Sequence, residues 1–217
     1  PQGLERLSVS WCNELTNFEF LPISLKSLKI LECHTLTSLE GLPEGLESLK
    51  IWAGLFTSLE GLPDSLQSLE IRRCNDLTSL KGLPEGLKSL RVYECDNLKS
   101  FECLPEGLKS LMIWNCDDLA SLEELPDGLE SLEISNMHKF TSLKGLPEGL
   151  KSFKIRWCDV TSFVGLPEGL ERLEVEDCFN LQNLQGLPSG LKSLMIHDLI
   201  RKNLDEESLN MLEEFGV

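Results

Sequence analysis

The chain holds one tyrosine, three histidines and only 20 Lys and Arg against 36 Asp and Glu, a formal charge of −16 over 217 residues. The shortage of bases excludes a stripe that neutralises phosphates, so nucleic acid is not expected as a partner. No apolar run approaches the roughly 18 residues a membrane helix requires, so no membrane span is expected either. None of the ten asparagines opens an Asn-x-Ser/Thr sequon, which argues against a glycosylated ectodomain. His34, His138 and His197 share no metal-ligand spacing and none lies in an HExxH motif. His34 follows Cys33 directly, but successive residues near a strand end face different ways, which disfavours a nucleophile–base pair. No Gly-rich phosphate loop opens a helix. No catalytic residue, metal ligand or cofactor is assigned, and the chain is not read as an enzyme.

What the chain has instead is rhythm. Its ten prolines (Pro1, Pro22, Pro43, Pro63, Pro84, Pro105, Pro126, Pro147, Pro167 and Pro188) recur at intervals of 21 residues, shortened twice to 20. A fixed period near 20 marks a solenoid, in which each unit buries its apolar face only against its neighbours. The unit reads LPEGLxSLxIxxCxxLxSLxG. From Leu87 to Cys95 apolar and variable residues alternate with period two, the pattern of a short half-buried strand: Leu90 and Val92 point inward, Ser89, Arg91 and Tyr93 outward. Consecutive units must then pair their strands in parallel. Leu-Pro-Glu-Gly before the strand fits a type I turn with Pro second and Gly fourth. After the strand, Leu98 and Phe101 carry the chain back over the convex side in extended or 3₁₀ backbone. Phe18, Phe56, Phe101, Phe140, Phe153 and Phe163 fall into the leucine ladders and are assigned to the core.

The eight cysteines do not suggest a disulfide framework. Cys12, Cys33, Cys74, Cys95, Cys116, Cys158 and Cys178 share one inward column, in which Gly54, Met137 and Leu199 replace them. A position that tolerates unpairable residues is read as a buried free thiol. Cys103 stands instead in a glycine column (Gly41, Gly61, Gly82, Gly145, Gly165, Gly186) and is expected to be exposed. Reduced thiols and missing sequons together point to a reducing, cytoplasmic compartment.

LERLSVSWC (residues 4–12), LKSLKILEC (25–33), LQSLEIRRC (66–74), LKSLMIWNC (108–116) and LERLEVEDC (170–178) match LxxLxLxxN/C, so the chain resembles the leucine-rich-repeat family. The resemblance implies an α/β-type, mostly β solenoid: a curved right-handed array of ten repeats over residues 1–197, with a parallel sheet on the concave face. The short period and LPxxLxxL resemble repeats of bacterial secreted effectors of the IpaH, SspH and YopM type. The Cys column followed by LxSL resembles repeats of plant intracellular immune receptors. The first resemblance implies a target- or substrate-recognition segment, the second the sensor region of a receptor. The uniformity of the units also admits an engineered or structural array without natural ligand.

Residues 198–217 leave the repeat. Asn203 to Glu207 open like a helix start, and Leu209, Leu212 and Phe215 recur at helical spacing before Gly216. A capping helix is expected at about 205–215, shielding the last strand. The first residue, Pro1, lies inside a repeat with no initiator Met, which suggests a fragment of a longer protein. Glu44, Asp64, Glu85, Glu106, Asp127, Glu148 and Glu168 follow the turn proline in seven consecutive units. This acidic column is read as a solvated turn position rather than a steering strip.

The outward strand columns carry the functional signal. The seventh position of each LxxLxIxxC unit runs Ser10, Leu31, Trp52, Arg72, Tyr93, Trp114, Ser135, Arg156, Glu176, His197, whereas the third position is serine in eight units. Leu31 through Trp114 form a lateral stripe spanning roughly 19 Å at strand spacing. Met112 lies beside it, and Trp157 and Trp11 occupy the eighth position. Trp, Tyr and Arg are the residue types enriched at binding hot spots. Leu31, Trp52, Arg72, Tyr93, Met112, Trp114 and Trp157 are therefore the candidate contacts for a protein partner, presented by a monomer. Aromatic residues also favour strands and pack on cross-strand neighbours, which is the alternative account of the stripe.

Overall fold

The computed structural model describes residues 3–119 and 121–215. Ten strands follow one another in a single parallel sheet, in chain order from edge to edge. They are β1 (Arg6–Ser10), β2 (Ser27–Leu31), β3 (Ser48–Trp52), β4 (Ser68–Arg72), β5 (Ser89–Tyr93), β6 (Ser110–Trp114), β7 (Ser131–Met137), β8 (Ser152–Cys158), β9 (Arg172–Glu176) and β10 (Ser193–Ile196). The array is a curved right-handed solenoid whose strands line the concave side. Register is column on column, Ser27 opposite Ser48, Ile30 opposite Ile51 and Leu31 opposite Trp52. Period-two burial accounts for it, since slipping one residue would turn Leu49 and Ile51 out to solvent.

Behind the sheet the leucine ladders and the six assigned phenylalanines form one continuous core, with Phe163 and Leu98 fully buried. The turn before each strand begins one residue later than expected. Pro84 C=O accepts the Leu87 N–H at 3.1 Å, so proline holds the first position and Glu85 and Gly86 the centre. Proline lacks an N–H, and the first position of a turn needs only its carbonyl. Glycine follows because a Cβ at Gly149 would stand 2.4 Å from the Asp127 carbonyl oxygen of the preceding turn.

Two columns take the left-handed conformation. One is the glycine column, with φ +96° at Gly82, where Cys103 (φ 69°) and Glu124 (φ 73°) substitute. The other is the eighth position, where nine non-glycine residues from Trp11 (φ 56°) to Asp177 (φ 53°) adopt it. Each costs roughly 1–2 kcal/mol for an L-residue. The hydrogen bond it makes offsets part of that: Arg73 N–H donates to Tyr93 C=O, and Glu94 N–H to Trp114 C=O, both at 2.9 Å. The twist turns the next residue inward and stands the eighth side chain on the rim of the strand face.

That next residue is the column cysteine. Six of the seven are buried and Cys12, in the first unit, is partly so; Cys103 is exposed. Cys95 Sγ donates to Tyr93 C=O at 3.3 Å and Cys158 Sγ to Arg156 C=O at 3.2 Å, so the thiol serves the strand-end carbonyl. Burial pushes the thiols of Cys116 and Cys158 up to about 12 and that of Cys178 up to about 11. In the short unit containing Gly54, Phe56 moves one place closer and its ring takes the cysteine's space. A Cβ at Gly54 would lie 2.0 Å from that ring, hence glycine. Leu199 does not continue the column. The chain turns into α1 (Asp198–Arg201), which leaves Leu199 exposed and buries Ile200 instead.

α2 (Glu206–Phe215) follows. Asp205 caps it by accepting the Ser208 N–H at 2.9 Å, and Ser208 Oγ accepts the Leu184 N–H at 2.8 Å. Ile200, Leu204 and Leu212 pack on the last repeats, while the Phe215 side chain and Gly216 lie outside the described residues. Pro1 also lies outside them, and β1 keeps Leu7 and Val9 only partly buried. No helix of the described chain is long and apolar enough to cross a membrane.

Candidate functional site: an aromatic stripe on the strand face

β2 to β6 each end in one member of the stripe, and parallel register sets them side by side: Leu31 by Trp52, Trp52 by Arg72, Arg72 by Tyr93, Tyr93 by Trp114. All five are half-buried rather than freely exposed, as is Met112. The reason is mutual packing. The Arg72 guanidinium lies 5.3 Å from the Trp52 ring centroid, a cation–π contact. The Tyr93 and Trp114 rings meet edge to face at 6.0 Å and 86°, and the Tyr93 hydroxyl donates to Met112 Sδ at 2.9 Å. Burial, with the Glu70 carboxylate in support, pushes the Tyr93 phenol up, which keeps that donor protonated. Cross-strand packing and a binding surface are thus not exclusive here; the first holds the second in shape.

Ion pairs fix the stripe from its rim. Glu94, on the left-handed eighth position, accepts from Arg72 Nη2 and from Arg73 Nε, both at 2.6 Å. Burial works against the Glu94 carboxylate, but the hydrogen bonds from Arg73 and Arg72 hold it below the ordinary range. On one side of the aromatic centre Lys50 pairs with Glu70 at 2.6 Å. On the other, Arg156 pairs with Glu133 and Glu176, and Lys154 with Glu174 and Glu176. The face is therefore mainly aromatic at its middle, with Arg72 and Arg91 among the rings, and charge-paired at its flanks.

Trp157 stands with the stripe. β7 places Ser135 in the seventh column between Trp114 and Arg156, and this small side chain leaves a notch. Tyr93, Met112, Trp114, Glu133, Ser135, Arg156 and Trp157 line a hollow of about 350 Å³ there. Trp157 is 43 % exposed, whereas Trp11, 69 % exposed, sits far off beside β1. Sequence reasoning overlooked Glu94, Ser135 and Arg156 as parts of the site. Ser135 and Arg156 were visible as the columnar break after Trp114, whereas Glu94 needed knowledge of the left-handed rim. Among the described residues no three His, Cys, Asp or Glu side chains gather as a metal site.

These features define a ten-strand parallel solenoid, built from repeats of leucine-rich pattern, with a shaped, mostly aromatic patch on its strand face. No family model and no curated protein sequence matches the chain. Among solved structures it is similar to YopM from Yersinia enterocolitica WA-314, at 21 % identity and TM-score 0.41, covering 91 % of this chain and 65 % of that one. It is also similar to CroV588, a circular leucine-rich-repeat protein, at 20 % identity and TM-score 0.40, covering 90 % and 42 %. A leucine-rich-repeat protein from Bacteroides ovatus ATCC 8483 aligns at 17 % identity and TM-score 0.34, over 89 % and 76 %. The chain spans less than two thirds of the first two. The fold assignment rests on this chain's own period and ten-strand register.

Proposed function

We propose that the protein is a non-catalytic recognition module that binds a protein partner through its strand face, centred on Trp52, Arg72, Tyr93, Met112, Trp114 and Trp157 with Leu31 at the margin. The observation that carries this reading is the cross-braced stripe. Large aromatic groups and an arginine are held, partly buried, by contacts among themselves, so little side-chain freedom is lost when a partner covers them. The core has no need of the stripe, because the same column carries Ser10 and Ser135 in other units. The partner is a protein rather than nucleic acid, given the charge of −16. The module acts as a monomer in a reducing cytoplasm, where its free thiols stay reduced. The recurrent LPxxLxxL supports a finer reading, the target-recognition segment of a secreted effector. The Cys-LxSL column supports a receptor sensor, and the sequences flanking the segment decide between them.

The test is a capture experiment from native-host extract with wild type and the Trp52→Ser, Tyr93→Ser, Trp114→Ser triple variant in parallel. Specific proteins retained by the wild type should be lost from a variant that keeps its circular dichroism spectrum. Recovery of the same proteins at the same yield by both would show that the stripe is not the site.

A further inference from the structure

The hollow over Ser135 has features that packing alone does not explain. Ser135 is only 4 % exposed, and its Oγ has no hydrogen-bond partner among the described residues. Beside it in the next strand, Arg156 spends Nη1 on Glu176 and Nη2 on Glu133, but its buried Nε is also without a partner. A buried polar group left unpaired costs roughly 1–3 kcal/mol, which a ligand atom placed between the two would recover. Both atoms are closed to solvent, so a ligand reaches them only if a wall moves; Trp157, 43 % exposed and on a left-handed residue at the rim, is the wall whose turning outward would admit one.

The chemistry of the lining restricts the occupant. Arg156 Nε–H is a donor only, so the entering atom must accept, which excludes an ammonium at that point. Arg156 and Lys154 are both committed to Glu133, Glu174 and Glu176, so neither cation is free to hold a carboxylate or phosphate. The acceptor is therefore neutral. Tyr93, Trp114 and Trp157 offer flat aromatic walls and Met112 a polarisable one, which suits an aromatic ring stacked or edge-on. A phenol meets every condition: its ring fills the walls, its oxygen accepts from Arg156 Nε, and its hydrogen donates to Ser135 Oγ.

We propose that the hollow between Trp114 and Arg156, floored by Ser135, is a side-chain pocket for a neutral tyrosine of the partner protein. This rests on the strand face being the partner-binding surface, but its test uses isolated probes. Failure here would leave the capture comparison standing, and failure there would leave this one readable.

The experiment titrates N-acetyl-tyrosinamide, N-acetyl-phenylalaninamide, N-acetyl-glutaminamide and phosphotyrosine amide into the full chain. The readout is the indole N–H resonances of Trp114 and Trp157, with Trp11 as remote reference. The tyrosine amide should shift both, at least tenfold more tightly than the phenylalanine or glutamine amide, and the phosphorylated probe should bind weakest. Ser135→Val should reduce tyrosine affinity to the phenylalanine level, and Ser135→Trp, a residue this column already carries, should abolish binding. Equal affinity for tyrosine and phenylalanine, tighter binding of the amide or the phosphate, or no shift at the two indoles would each overturn the proposal.

Discussion

Replacing Gly82 by alanine tests the way one coil rests on the next. Gly82 has φ +96°, and a Cβ there would lie 2.4 Å from Glu60 N and 2.5 Å from Leu59 C, backbone atoms of the preceding unit that cannot rotate away. Where this column does carry a side chain, φ falls to 69° at Cys103 and 73° at Glu124. Alanine at position 82 must therefore shift toward that value within the left-handed region, which strains an L-residue, and push one coil off its neighbour. The two effects together should cost about 2–3 kcal/mol. For a chain of this size that is a melting-temperature loss of roughly 4–12 °C. Gly45→Ala is the control: its nearest contact is 3.5 Å and its φ is not left-handed. That variant should be neutral or gain about 0.4–1 kcal/mol from a stiffer unfolded chain. Thermal unfolding by calorimetry reads both. If the two variants melt together, the close approach between coils does not limit the fold.

The thiol column predicts eight reactive thiols in denatured protein but, near pH 8, reaction chiefly at Cys103 in native protein, followed by part-buried Cys12; two or more disulfides in unreduced material would contradict it. Because Cys116, Cys158 and Cys178 have folded values raised to about 11–12, their stabilisation is full below the ordinary thiol value near 8.5 and is lost as pH rises toward the folded values. A denaturation midpoint flat from pH 8 to 12 would refute it. Glu94 runs the other way: its depressed value adds stability above the ordinary carboxylate range near 4.3, lost as pH falls through the folded value, and Glu94→Gln should blunt that acid loss. Ending the chain at His197 strips Ile200, Leu204 and Leu212 from the last repeats and leaves the Leu184 N–H without Ser208 Oγ. Each lost apolar contact is worth roughly 1.5–3 kcal/mol, so the truncated chain should melt lower and self-associate in sedimentation.

Much of the fold could be read before any coordinates, because a repeat shows each structural role ten times over. Period-two burial, the phenylalanines in the ladders and the inward cysteines all follow from columns that agree with one another. The turn was misplaced by one residue because Leu-Pro-Glu-Gly and Pro-Glu-Gly-Leu share the same turn formers, and only the Pro84–Leu87 hydrogen bond separates them. The left-handed eighth column was hidden because Trp, Glu, Arg and Asp fill it, with only Asn115 and Asn136 as conventional markers. The stripe itself was legible from register alone. Its half-burial was not, since the Arg72–Trp52 and Tyr93–Trp114 contacts depend on rotamers that no spacing specifies. The meeting of Trp157 with Trp114 in the hollow was not legible either, since the two are two strands apart across Ser135.

The central claim, recognition through the strand face, is tested most directly by site-specific photo-crosslinking. A photoreactive phenylalanine is placed at Arg91, exposed on the strand face beside Met112, or at Lys144, exposed on the return side of the coil. A protein captured from host extract by wild type should crosslink from position 91 and not from position 144. Crosslinking from 144 alone, or equally from both, would place recognition elsewhere and contradict the account.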